Sequence, residues 1–171
     1  MADDKYSGAG NSPIDAPDRR RLPPLLRRSW YGLNQAFRRR IAHTGATPDQ
    51  FTVMRCLLEC EGPGVSQREL TAAMSSDPNT IASLLERMEK AGWVERKPHE
   101  RDGRAYRIQL KAAGKRKYEE VRAIAVELQS HILEAIPDKR REEFLEDLAR
   151  VGDACRVAAD NSPSKTAKRR G

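Results

Sequence analysis

The feature that most constrains the fold is a four-residue break, Ser75-Ser76-Asp77-Pro78, between two short amphipathic segments. Before it, Ser66 and Glu69 are spaced as a capping box, which predicts the start of a short helix. Within the break, Asp77 is the expected N-cap and Pro78 the first residue of the next helix. The residues expected to face inward are Leu70, Ala73 and Met74 in the first helix and Ile81, Leu84, Leu85 and Met88 in the second.

After Gly92 the hydrophobic period changes from helical to alternating. Residues 93–97 and 106–110 read as two strands joined by a polar loop that contains Gly103, which predicts a β-hairpin. Upstream, Thr47-Pro48-Asp49-Gln50 is a further capping box with proline at the first helical position. Two short helices joined by a tight turn and followed by a hairpin form a winged helix-turn-helix.

Long amphipathic helices flank this module, and the apolar stripe along each of them is called its seam. The first helix follows Pro23 and Pro24, and residues 19–43 hold eight arginines and no acidic residue. Gly32 within it suggests close packing at that point. Two later helices repeat apolar residues at three- and four-residue steps: Tyr118, Val121, Ala125, Leu128, Ile132 and Ala135, then Phe144, Leu148, Val151, Cys155 and Ala158. These seams carry more apolar surface than one small monomer can cover, so they predict a homodimer.

The expected fold is therefore mainly α, a winged helix-turn-helix with a two-stranded β wing and an N-/C-terminal helical dimerisation region. Residues 19–46 form the first dimerisation helix, 47–111 the winged module and 112–159 the C-terminal dimerisation helices. Residues 1–18 hold almost nothing apolar, and residues 160–171 are polar and basic. Both ends are typical of disordered tails.

The composition and net charge indicate which classes of function and partner to expect. The 171 residues hold 32 Lys and Arg against 25 Asp and Glu, a formal charge of +7 that favours nucleic acid over a membrane surface as partner. No apolar run is long enough to cross a membrane, and the N-terminus has no signal-peptide core. Three cysteines indicate free thiols in a reducing cytoplasm. With no phosphate loop, nucleophile elbow or paired carboxylates in an apolar setting, neither an enzyme nor a cofactor is expected.

The polar face of the second short helix is the candidate DNA reader, as opposed to a merely solvated face. Its residues are Asn79, Thr80, Ser83 and Arg87. Small polar side chains can approach base edges in the major groove, and an arginine can reach a guanine edge or a phosphate. At the hairpin tip, Asp102 can pair with Arg104 and aim the guanidinium at the minor groove. Phosphate contacts are expected from Arg68, Arg96 and Arg101.

These segments resemble the MarR family (multiple-antibiotic-resistance regulators) of bacterial transcription factors. The matching stretches are 47–58, 66–70 and 84–96, and residues 101–105 look like the family's wing signature. His99 and Lys111 depart from the residues that the family often has there. The resemblance implies an obligate homodimer with interlocked first and last two helices, which presents two recognition helices about 34–36 Å apart to a pseudo-palindromic site. It also implies a repressor released by a small phenolic or other ligand.

Candidate residues for a small aromatic or anionic effector lie on the first two helices. Trp30 and Tyr31, near Phe51, could line an aromatic pocket, although a helical stripe of this kind is more often core. For an anionic ligand the candidate partners are Arg27, Arg28 and Arg55. The family's usual pocket lies between the dimerisation helices and the DNA-binding module.

Two other functions stay open. One is a winged-helix dimer that acts through a protein partner or binds DNA non-specifically, because residues 64–110 are nearly neutral and the first helix is rich in arginine. The other is a cysteine-based redox sensor using Cys56 and Cys60, although buried apolar thiols are the more frequent outcome at such positions. His43, His99 and His131 are not at metal-ligand spacing, so no metal is predicted.

Overall fold

The computed structural model describes residues 16, 20–98 and 106–161. In chain order the elements are α1 (Leu22–Ile41), α2 (Pro48–Glu59), β1 (Val65–Ser66), α3 (Gln67–Ala73), α4 (Pro78–Lys90), β2 (Val94–Pro98), β3 (Tyr106–Leu110), α5 (Ala112–Leu133) and α6 (Arg141–Asp160). Short 3-10 turns precede α2 and α6, at Ala42–Thr44 and Asp138–Arg140. The mainly α fold with a hairpin wing is confirmed. The predicted tails fall almost entirely outside the described residues.

Each of the three predicted caps is present. The Thr47 hydroxyl accepts from the Gln50 amide at 3.3 Å, and the Gln50 side chain accepts from the Thr47 amide at 2.9 Å. Ser66 and Glu69 make the same reciprocal pair at 3.2 and 2.7 Å. These side chains satisfy amides that a helix start leaves without intrahelical partners. The starts of α2 and α3 are therefore fixed by local sequence.

The chain forms two compact units, residues up to Ala125 and residues from Val126 onward. The first unit holds the main core, and the inward stripe of α4 is confirmed, since Ile81, Leu84, Leu85 and Met88 are all buried. Leu70 of α3 is also buried, whereas Ala73 is exposed, so the prediction for Ala73 was wrong. Ala73 is the last residue of a two-turn helix, where the chain already turns toward α4.

The sheet has three strands in the order β1-β3-β2, so the prediction of a two-stranded wing was incomplete. Val65 pairs with Ile108, and Val94 pairs with Leu110, both in antiparallel register. Gly64 permits β1 to approach β3, because a Cβ at this position would lie 2.6 Å from the Ile108 carbonyl oxygen. A two-residue strand is too short to show an alternating pattern, which is why the sequence did not reveal it.

The second unit contains the end of α5, a tight connection and α6. Arg141 closes the connection by donating from Nε to the carbonyls of Leu133 and Ile136 at 2.9 and 3.0 Å, and it pairs with Asp138 at 2.6 Å. The α6 seam is exposed in the single chain, with Phe144 at 41% and Leu148 at 42% of full exposure. Among the described helices, none is both long enough and apolar enough to cross a membrane.

Helix α1 differs from its prediction in two respects. Gly32 was expected to mark close packing, yet a Cβ built there would meet nothing within 4 Å. Trp30, Tyr31 and Leu33 are likewise exposed, at 63%, 67% and 42%. Trp30 and Tyr31 are therefore not part of the hydrophobic core of a single chain.

Candidate nucleic-acid interface

The outer face of α4 carries the predicted base-reading residues, and all four of them are exposed: Asn79, Thr80, Ser83 and Arg87. The buried stripe on the opposite side of α4 fixes which face points outward. The side-chain amide of Gln67 donates to the Pro78 carbonyl at 3.1 Å and so ties the first turn of α3 to the first turn of α4. These contacts thus fix both the outward direction of the four α4 side chains and the geometry of the helix-turn-helix.

Hydrogen bonds limit what each of these side chains can offer a base. The Thr80 hydroxyl donates to the Asp77 carboxylate at 2.5 Å, which leaves its lone pairs and its methyl group for other contacts. Arg87 donates from Nε to the Ser83 carbonyl at 3.3 Å and keeps the rest of its guanidinium fork available. Asn79 provides both an amide donor and a carbonyl acceptor. The face therefore combines donors, acceptors and one apolar group.

Asp77 caps α4 and is ionised at neutral pH. Its Oδ1 accepts from the amides of Asn79 and Thr80 at 3.0 and 2.9 Å. The hydrogen bond from the Thr80 hydroxyl, followed by those from the backbone amides, lowers the pKa of Asp77 below its ordinary 3.8. The negative charge also lies at the positive end of the helix dipole.

Acid should therefore weaken the start of α4. Because the pKa of Asp77 is lower in the folded than in the unfolded state, its contribution is present above the unfolded pKa and is lost as pH falls through the folded pKa. Asp77→Asn keeps a capping oxygen but cannot titrate. We expect the Asn variant to lose less thermal stability than the wild type between neutral and acid pH. Parallel melting temperatures of the two proteins across that range would contradict this assignment.

The wing contains a contact that the sequence did not reveal. Arg96 of β2 pairs with Glu89 of α4, with Nε 3.1 Å from Oε2 and both side chains about one-third exposed. The pair spans the turn from α4 into β2 and braces the hairpin against α4. Arg96 was expected to hold a phosphate, and in the free protein its guanidinium already has an acidic partner. The sequence gives no sign of this pair, because Arg96 and Glu89 are seven positions apart and lie in different elements.

The remaining predicted DNA contacts divide into two groups. Arg68 is exposed on α3, on the same module as the outer face of α4. Arg101, Asp102 and Arg104, together with His99, lie outside the described residues.

The four predicted effector residues do not form one pocket within the chain. Phe51 is buried, with its ring 5.4 Å from that of Phe37 and 5.2 Å from that of Tyr118, so it belongs to the core. Arg55 pairs with Glu59 at 2.9 Å on α2. Trp30 is exposed, and Tyr31 instead lines a shallow cavity along α1 with Asn34, Gln35, Arg38 and Arg39. Within the described residues, Oδ1 of Asn34 is buried without a hydrogen-bond partner.

The surroundings of Cys56 fit a packing role better than redox chemistry. Cys56 and Cys60 are half-buried at the edge of the core, and Cys155 is exposed. Burial raises the pKa of the Cys56 thiol, and the nearby Glu59 carboxylate raises it further. A thiol with a raised pKa is a poor nucleophile toward oxidants. In the part of the chain that the structure describes, no group of three His, Cys, Asp or Glu side chains could hold a metal ion.

A capped helix pair with a polar outer face, followed by a braced hairpin, defines a winged helix-turn-helix protein of the nucleic-acid-binding class. The MarR family model matches residues 46–106. The resemblance to this family that the sequence predicts is confirmed over this segment.

A known relative agrees with this resemblance. The chain is 29% identical over 90 residues to the HTH-type transcriptional regulator BilQ of Clostridium symbiosum (strain WAL-14163), a match that covers 53% of this chain and 62% of BilQ. The chain thus spans less than two-thirds of that relative. BilQ is named as a regulator of transcription, the class of protein that the sequence predicts for this chain.

Solved structures show the same fold. The MepR–DNA complex of S. aureus has a TM-score of 0.70 at 18% identity, covering 77% of this chain and 96% of MepR. CouR from Rhodococcus jostii RHA1, bound to p-coumaroyl-CoA, has a TM-score of 0.65 at 25% identity, covering 74% of this chain and 88% of CouR.

Proposed function

We propose that this chain is a sequence-specific DNA-binding regulator of transcription whose helix α4 enters the major groove. The observation that carries the proposal is the division of α4 into a fully buried apolar stripe and an exposed face of Asn79, Thr80, Ser83 and Arg87. A helix docked firmly on one side, with small polar residues at its outer start, is what a recognition helix requires.

The other DNA contacts are proposed from the sequence, and from the structure only for Arg68 and Arg96. Arg68 and Arg101 are assigned to phosphates, and Arg96 to a phosphate or to bracing the wing through Glu89. Arg104, which the sequence predicts to pair with Asp102, is assigned to the minor groove. The test is enrichment from a random-sequence duplex pool. The proposal expects one inverted repeat with half-site centres about one helical turn apart, and a pool without an enriched motif would contradict it.

The regulator is proposed to act as a homodimer through α1, α5 and α6. Exposed apolar side chains on these helices support this: Leu22, Leu25, Trp30 and Leu33 on α1, Val126 and Ile132 on α5, and Phe144, Leu148 and Val157 on α6. The charges of two helices are also complementary. Helix α1 holds five arginines and no acid, whereas α6 holds six acids and three arginines. Docking of α1 on α6 of a second copy would cover apolar surface and pair opposite charges.

The substitution Leu148→Asp should convert the dimer to a monomer. An aspartate at the centre of the α6 seam would have to be buried without a partner, which costs several kcal/mol. Ala149→Asp adds the same charge on the opposite, polar face of α6 and serves as the control. Sedimentation equilibrium should show a monomer for Leu148→Asp and a dimer for the control. A dimer in both cases would exclude α6 from the interface.

Release of DNA by a small aromatic or anionic ligand is proposed to use the cavity along α1. Arg38 and Arg39 can bind an anionic group, and Tyr31 supplies an aromatic face beside them. The complex of CouR with p-coumaroyl-CoA supports a ligand of this kind. Aromatic carboxylates added to the protein–DNA complex should release the duplex from the wild type, and from Arg38→Ala only at concentrations roughly tenfold higher or more. Equal release from both would remove this cavity from the proposal.

A further inference from the structure

We infer that Lys117 is the positioning residue that holds the recognition helix and wing at a fixed angle to α1 and α5. The inference rests on the proposed function, because reading a two-part DNA site requires that angle. Lys117 is distinct from the residues assigned to DNA or ligand. Its role is to set where those residues lie.

Three elements meet at the Lys117 ammonium. The side chain leaves the second turn of α5 and is only 19% exposed. Its Nζ donates to the Thr44 carbonyl at 2.7 Å, lies 2.6 Å from Oε2 of Glu120, and sits 5.8 Å from the centroid of the Trp93 ring. Thr44 belongs to the turn between α1 and α2, and Trp93 joins α4 to β2. One side chain thus connects α5, the end of α1 and the end of the recognition helix.

Both segments that Lys117 joins are already ordered by their own hydrogen bonds. The Thr44 hydroxyl donates to the Ile41 carbonyl at 2.7 Å and accepts from the Ala46 amide at 3.2 Å. The Trp93 amide donates to the Met88 carbonyl, and its carbonyl accepts from the Lys111 amide, each at 2.9 Å. Lys117 therefore joins two segments that each have hydrogen bonds of their own, and its loss should let both open more readily.

The chemistry of the junction selects a compact cation. The Thr44 carbonyl ends a helical turn, where the backbone carries partial negative charge. The face of an indole ring attracts a cation, and Glu120 carries a full negative charge. A neutral side chain of the same length would fill the space, but the Thr44 carbonyl oxygen would lose the hydrogen bond that Lys117 donates.

The functional consequence concerns specific binding more than general affinity for DNA. Base-edge contacts must be held within roughly 0.5 Å to be made, whereas attraction to the phosphates tolerates a small rotation of the module. Loss of the Lys117 contacts should therefore lower affinity for the operator and leave affinity for unrelated duplex nearly unchanged. The ratio of the two affinities is the quantity to measure.

The experiment compares Lys117→Met with Lys115→Met in the full chain. Lys115 is exposed on α5 two residues before Lys117. Its variant therefore loses the same charge without changing the contacts of Lys117. Operator duplex, taken from the selection above, and scrambled duplex are titrated at the same salt. Lys117→Met should lower the operator-to-scrambled ratio by roughly tenfold or more, the usual effect of losing a charged hydrogen bond. An equal ratio in the two variants would overturn the inference.

Hydrogen exchange separates positioning from a general loss of fold. In Lys117→Met, amides at residues 44–46 and 93–97 should exchange faster, while those in the middle of α4 keep their protection. Uniformly faster exchange would overturn the positioning role. If wild type shows no preference for operator, the proposed function fails, and the exchange pattern still decides the inference.

A milder variant covers the case in which Lys117→Met does not fold. Glu120→Gln removes the acid that holds the ammonium and changes only a side chain that is 46% exposed. It should lower the operator-to-scrambled ratio by about threefold, an intermediate loss. Lys117→Arg keeps the charge and a donor and should recover most of the wild-type ratio. An unchanged ratio in Glu120→Gln, with no folded Lys117→Met, would overturn the inference.

Discussion

Replacing Gly114 by alanine should destabilise the first unit by about 3 kcal/mol or more, the upper end of what overpacking costs. A Cβ at this position would lie 2.2 Å from the Trp93 carbonyl oxygen and 2.6 Å from Cδ1 of Leu110. The side chain of Leu110 can rotate away, but the Trp93 carbonyl is held by the Lys111 amide at 2.9 Å. Relief of the clash must therefore break the junction between the wing and α5. Denaturant unfolding at a fixed protein concentration measures the loss.

Gly32→Ala is the matched control for this prediction. It makes the same change within a helix, and its Cβ would meet nothing within 4 Å. Alanine is favoured over glycine in a helix interior by about 0.5–1 kcal/mol, so this variant should be slightly more stable than wild type. Equal free energies of unfolding for the two variants would show that Gly114 is not a point of close contact.

Ser83→Glu should reduce operator affinity by roughly a hundredfold or more, because a carboxylate on the outer face of α4 meets the negative charge of DNA, and like charges in an interface cost several kcal/mol. The fold should be unaffected, since Ser83 is exposed. The new glutamate also lies four residues before Arg87, a spacing that stabilises a helix by about 0.2–0.5 kcal/mol. A loss of binding in this variant therefore cannot come from unfolding of α4.

The control for this variant is Ser130→Glu, which places the same charge on an exposed position of α5. Filter binding or fluorescence anisotropy at one salt concentration compares the three proteins. Ser130→Glu should bind within a few-fold of wild type, because Ser130 is not among the residues assigned to DNA. Near-wild-type binding by Ser83→Glu would mean that α4 does not face DNA.

The parts of the fold that follow from sequence are those set by neighbours along the chain. Thr47, Ser66 and Asp77 each cap a helix through residues two or three positions away, so their roles were predictable. The inward stripe of α4 repeats within a single helix, and its exposed face follows by exclusion. Local spacing was therefore enough to define the helix-turn-helix and its candidate reading face.

What the sequence did not reveal depends on distant parts of the chain or on a second molecule. Phe51 was expected near an effector, yet it packs between Phe37 and Tyr118, which come from helices before and after the winged module. Lys117 and Thr44 are 73 residues apart, so no spacing rule joins them. Trp30 has the spacing of a core residue and is exposed in one chain, a pattern that the proposed dimer explains.

A competitive titration tests the central claim most directly. The protein is titrated with the duplex selected from the random pool and with a scrambled duplex of equal composition and length, at the same salt concentration. The account predicts binding to the selected duplex that is tighter by a factor of about a thousand or more. Equal affinity for both duplexes, falling steeply with salt, would contradict it and would indicate a protein that coats DNA through its basic surface without reading sequence.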